Sequence, residues 1–115
     1  MAEKRFSGRV PTKLHAELWS PDGSNILCEV RMLELSPSGC RLKFEKQDNK
    51  IPRDPRIKFG LEKAIPLFFE TEVIWSKEVK EENFMGLKFK NLPAINKEKI
   101  RKYIYDLKYR EKYTM

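Results

Sequence analysis

Apolar and polar residues alternate along most of the first ninety positions. Leu14, Ala16 and Leu18 alternate with His15, Glu17 and Trp19, the period of two that sends apolar side chains to one face of a strand. Ser20-Pro21-Asp22-Gly23-Ser24-Asn25 follows, where Pro fixes φ, Asp can bond its own backbone and Gly accepts positive φ, so a hairpin turn is expected. Ile26, Cys28, Val30 and Met32 form the apolar face of a second strand, ended by Ser36-Pro37-Ser38-Gly39. Cys40, Leu42 and Phe44 then alternate with Arg41, Lys43 and Glu45. Residues 46–55 are polar with two prolines and read as a loop. Ile57, Phe59 and Leu61 resume the pattern, the apolar stretch from Leu67 to Trp75 extends it, and Phe84 to Phe89 completes about six strands.

The period then changes. Ile100, Tyr103, Ile104 and Leu107 stand at i, i+3, i+4 and i+7, one stripe of an amphipathic helix over about 96–112, with Asn96 placed as its cap after Pro93. Tyr105, Tyr109 and Tyr113 form a neighbouring stripe that either widens the packed face or offers an exposed contact surface. Strands followed by one helix predict a mainly β fold, a small six-stranded antiparallel barrel with a C-terminal helix.

Composition limits the function. The 115 residues suit one domain, 40% of them are hydrophobic, too many for a disordered chain, and no apolar run reaches the roughly 20 residues of a membrane span. The N-terminus carries charges where an export signal needs an apolar run, so a bacterial-type cytoplasmic protein without membrane insertion is expected. The net charge of +7 is uneven. Residues 1–13 hold +3, residues 96–115 hold +4, and the stretch between has 13 charges of each sign. An anionic partner therefore belongs at the two ends.

Catalytic chemistry is hard to assemble from these residues. His15 stands alone, and Glu70/Glu72 and Glu81/Glu82 read as solvated strand edges. Cys28 and Cys40 have neither the spacing nor the neighbours of a metal site and read as small buried hydrophobes. No enzyme activity, metal or cofactor is expected.

Two motifs stand apart from this background. Arg5-Phe6-Ser7-Gly8-Arg9 lies near the N-terminus, and Glu34-Leu35-Ser36-Pro37-Ser38-Gly39 follows some 25 residues later. Together they resemble the hallmark of the PilZ domain family, RxxxR in an N-terminal arm and (D/N)xSxxG at the end of a barrel strand. Val10-Pro11, Cys40-Arg41-Leu42, Met85 to Phe89 and Arg101 to Leu107 extend the resemblance over almost the whole chain. It implies a flexible basic arm, residues 1–12, and a single barrel domain, residues 13–115.

The resemblance also implies a ligand, the bacterial second messenger cyclic di-GMP (c-di-GMP), held by Arg5, Arg9, Glu34, Ser36 and Gly39, with Lys4 and Arg41 at the periphery. Arginine suits a ligand with two phosphates and two guanines, because its planar fork pairs with phosphate oxygens or with guanine O6 and N7 and can stack on a base. Glu34 stands where the family has Asp or Asn. Its carboxylate can still accept from guanine N1–H and N2–H, but the extra methylene moves the acceptor by about 1.5 Å. Ser36 can donate or accept at the ligand's polar edge, and Gly39 permits a backbone conformation or close approach that a Cβ would block. The implied function is a receptor whose arm folds over the ligand and signals to an unidentified downstream protein. The rival is a degenerate adaptor of the same fold with weak or no nucleotide binding. DNA is not an expected partner, since the neutral middle lacks interleaved basic and aromatic residues.

Overall fold

The computed structural model describes residues 10–48, 50–61 and 65–113, and the side chains among them as far as Tyr109. Among the described residues seven strands and one helix follow in order: β1 (Val10–Pro11), β2 (His15–Trp19), β3 (Ile26–Ser36), β4 (Gly39–Glu45), β5 (Arg56–Phe59), β6 (Leu67–Val79), β7 (Glu82–Lys90) and α1 (Ala94–Tyr113). All pairings are antiparallel, in the order β3-β2-β5-β6-β7-β4, and a further β3–β4 pairing closes these six into a barrel. The two-residue β1 adds to β3 beyond the end of β2, with Val10 opposite Leu35 and Pro11 opposite Glu34. Val10 is buried in the core, so the ordered sheet begins within the segment read from the sequence as the arm.

The alternating positions meet inside the barrel. Leu18, Met32, Leu35, Leu42 and Ile57 are fully buried, each stabilising the fold by about 2 kcal/mol relative to exposure. Phe59, Phe69 and Phe89 form an aromatic triad with centroids 5.4–6.3 Å apart. Ile100 and Ile104 of α1 complete the core, and the helix rests on β1 and β3. The loop before β5 docks on β6, where Thr71 donates from its hydroxyl to the carbonyl of Pro55 at 2.6 Å.

Two irregularities depart from simple alternation. In β3 the register shifts between Met32 and Glu34, and the extra residue Leu33 turns Leu35 rather than Glu34 into the core. In β6 a shift between Val73 and Trp75 leaves Ile74 and Trp75 on the outside. The stretch from Leu67 to Trp75 is therefore not apolar-facing throughout, and β6 runs on to Val79.

Ile26, expected on the apolar face of β3, is 47% exposed, beyond a register shift in the β2–β3 pairing. The helix starts two residues before Asn96, which is not its cap. The carbonyl of Pro93 accepts from the amides of Asn96 and Lys97, both at 3.0 Å, so the chain is already turning at Pro93. Among the described residues no helix is long and apolar enough to cross a membrane.

Candidate functional site

The β3 bulge sets up the site. By turning Leu35 inward it leaves Glu34 and Ser36 on the outer face, two residues apart. Cross-strand register then aligns Glu34 on β3, Arg41 on β4, Gly86 on β7 and Trp75 on β6 in one row. The adjoining row is Ser36, Gly39, Lys88 and Glu72. Glu34, Ser36, Gly39, Arg41, Trp75 and Lys88 line a groove of about 220 Å³ on the outside of the barrel.

Each position has a physical reason. Ser36 Oγ accepts from the amides of Ser38 and Gly39, both at 3.2 Å, and lies 3.1 Å from Ser38 Oγ, so the hydroxyl organises its own turn. Gly39 is not at positive φ. A Cβ there would collide with the carbonyl oxygen of Leu87 and crowd Lys88 Cα, so the glycine is required by the approach of β7. That is a different constraint from the ligand approach considered from sequence. The amide of Phe89 reaches across to donate to Ser38 O at 2.9 Å.

Arg41 Nη2 lies 3.7 Å from Glu34 Oε2, an ion pair between directly opposite residues. Arg41 Nε is buried without a hydrogen-bond partner among the described residues. Trp75 is 41% exposed. The five-membered ring of its indole sits over Gly86, where any Cβ would overlap it.

Glu34, Ser36 and Gly39 of the motif and Arg41 at its periphery stand together around this groove. Lys4, Arg5 and Arg9 lie outside the described residues. Trp75, Gly86 and Lys88 are lining residues that the motif did not indicate. Gly86 within the alternating Phe84–Phe89 segment was the available signal, because a glycine inside a strand marks a close approach.

Other chemistry is sparse. Cys40 is buried as expected but Cys28 is only partly so; burial pushes the Cys28 thiol up to about 11 and raises that of Cys40 further, which keeps both protonated at neutral pH. No group of three or more potential metal ligands occurs among the described residues.

A closed six-stranded antiparallel barrel with a terminal helix and a polar groove over a Ser-Gly turn defines a small β-barrel domain with an outer groove. The PilZ domain profile matches residues 3–106, and the chain belongs to the PilZ domain family. Solved structures agree in fold. The chain resembles the inhibitor of motility MotI/DgrA of Bacillus subtilis (TM-score 0.74, 13% identity), covering 90% of this chain and 50% of that one. It resembles the PilZ domain of YcgR from Escherichia coli, solved with c-di-GMP (TM-score 0.69, 16% identity), covering 90% and 92%. It also resembles PlzA of Borreliella burgdorferi, in complex with c-di-GMP (TM-score 0.59, 16% identity), covering 99% and 59%. The chain spans about half the length of MotI/DgrA and of a longer YcgR chain. No curated protein matches it in sequence.

Proposed function

We propose that the protein is a cytoplasmic c-di-GMP receptor, a binding module and not an enzyme, whose basic arm closes over the ligand and signals to a partner protein. The observation that carries this reading is the groove, which unites Glu34, Ser36, Gly39 and Arg41 with an exposed indole and the Lys88 ammonium. Trp75 offers a stacking platform for a guanine. Glu34 can accept from a guanine edge, and Lys88 can meet a phosphate.

Chain connectivity leaves the groove within reach of the arm. Arg9 is bonded to Val10, which stands opposite Leu35, the neighbour of Ser36. Consecutive Cα atoms are about 3.8 Å apart, and an arginine side chain spans the remainder. Arg5, four residues further on, lies within about 14 Å of Arg9 even in extended chain, so both guanidinium groups can reach one ligand. Because α1 rests on β1, ordering of the arm bears directly on the helix, a route from ligand to partner.

A second reading, an adaptor of the same fold without nucleotide, is favoured by one observation: Glu34 already faces Arg41. Titration calorimetry with c-di-GMP separates the two. The receptor reading expects micromolar or tighter binding, abolished in Arg5→Ala and Arg9→Ala. Absence of binding by the wild-type chain would select the adaptor.

A further inference from the structure

The helix has a second face, which neither the core nor the groove uses. Ile100 and Ile104 point into the barrel, while Tyr105 and Tyr109 on the other side are 66% and 55% exposed. Their rings stack on each other, with centroids 6.3 Å apart and planes 24° from parallel. Helical spacing places Arg101 and Lys102 one turn before Tyr105 and Lys108 one turn after it. The aromatic pair is therefore rimmed by cations.

The helix segment around that rim is net positive. The segment 94–113 holds seven basic and three acidic residues. Two of the acids form exposed pairs along the helix, Glu98 with Arg101 at 2.7 Å and Asp106 with Lys102 at 3.8 Å. Pairs of this kind contribute little and are readily exchanged for a better partner. Rigid tyrosines ringed by arginine and lysine are the composition of a protein-binding hot spot, with aromatic anchors at the centre and charges at the rim. A lipid surface would need a broad apolar face, and the apolar stripe of α1 is already buried against β1 and β3.

We infer that the Tyr105–Tyr109 face of α1 docks an acidic segment of a partner protein. Carboxylates of that segment meet Arg101, Lys102 and Lys108, and its apolar side chains cover the two rings. The inference gives the receptor reading a surface and a partner chemistry, yet it stands on the helix alone.

Fluorescence anisotropy of the full chain tests it, using a labelled amphipathic peptide of glutamate and leucine, with lysine replacing glutamate in the control. The acidic peptide is expected to bind and the basic one not. The double variant Tyr105→Ala/Tyr109→Ala should weaken binding about tenfold or more, and Arg101→Gln/Lys102→Gln should weaken it and flatten its salt dependence. Both substitutions alter exposed side chains, and circular dichroism checks that the fold is kept. Equal affinity for the two peptides, or affinity indifferent to the tyrosines, overturns the inference. So does tighter binding of duplex DNA or anionic phospholipid vesicles through the same residues. A parallel c-di-GMP titration of the tyrosine variant reads the groove separately, so failure at the helix is not mistaken for failure of the nucleotide site.

Discussion

Ser20-Pro21-Asp22-Gly23 and Ser36-Pro37-Ser38-Gly39 differ only in their third residue, and the barrel uses them for different purposes. The first turn is closed mostly by its own residues, with Arg56 Nε of β5 donating to Pro21 O at 2.8 Å. Gly23 sits at φ 76°, its amide donates to Ser20 O at 2.8 Å, and Asp22 Oδ1 accepts from Ser20 Oγ, Ser24 Oγ and the Ser24 amide. In the second turn the glycine has ordinary φ and is constrained from outside, by the Leu87 carbonyl of the neighbouring strand. One glycine answers a need for backbone handedness, the other a need for space. Both turns are touched by a neighbouring strand, but in the second it is backbone that presses on the glycine, and that turn lines the groove.

The sharpest way to break this distinction is to add one methyl group to each turn. Gly39→Ala must push β4 away from β7, and a loss of about 3 kcal/mol is expected, in the range of severe overpacking. Gly23→Ala comes within 3.3 Å of the edge of the Phe68 ring, a side chain that can give by a few tenths of an ångström, and costs about 1 kcal/mol for its left-handed backbone. Urea unfolding of both variants measures the difference. Equal losses would mean that β7 yields to the added group and that Gly39 is not held by space.

Each turn also has an exposed aromatic beside it, Phe68 near Gly23 and Trp75 beside the groove. If the groove is the nucleotide site, Trp75→Ala weakens c-di-GMP binding about tenfold, the value of one stacked base. Phe68→Ala leaves the affinity unchanged. Calorimetry on the two variants decides, and a loss in Phe68→Ala matching that in Trp75→Ala would move the site away from the Ser36–Gly39 turn.

These residues also mark how far the sequence was legible. Strand parity revealed most of the barrel because Leu18, Leu42, Ile57 and Leu87 obey a strict period of two. It could not reveal the bulges at Leu33 and Ile74, since one extra residue inverts every position beyond it without changing composition. Trp75 therefore read as the end of an apolar run, although it stands beside the motif. Glu34, Ser36 and Gly39 were recognisable as a motif with Arg41 at its periphery, whereas Trp75, Gly86 and Lys88 join them through register alone. The helix stripe was legible, but its start was not, because a proline carbonyl served where a side-chain cap was expected.

Glu34 offers a finer test of the same wall. Its partner Arg41 stands directly opposite, and shortening the side chain trades proximity to that guanidinium for the carboxylate position usual in the family. Glu34→Asp should bind c-di-GMP at least as well as wild type, within a few-fold, since a half-exposed pair at 3.7 Å is worth about 1 kcal/mol. A large loss by calorimetry would show that the longer side chain has a dedicated contact.

The smallest effect expected separates the two turns by their third residue. Hydrogen bonds from the Ser24 side chain, the Ser20 side chain and the Ser24 amide hold the Asp22 carboxyl at about 2, against about 3.9 for an unfolded aspartate. A depressed folded value means that the ionised form stabilises the turn fully above the unfolded value, and the contribution is lost as pH falls through about 2. The gap in melting temperature between wild type and Asp22→Asn should therefore narrow on going from about pH 5 to about pH 2. Because Asp22 is exposed, solvent screening keeps the change small. The second turn has Ser38 at the matching position and no charge to titrate, so any gap between wild type and Ser38→Ala should stay constant over the same range. A constant gap for Asp22→Asn as well would mean that the first turn closes through Gly23 and its backbone alone, without its carboxylate.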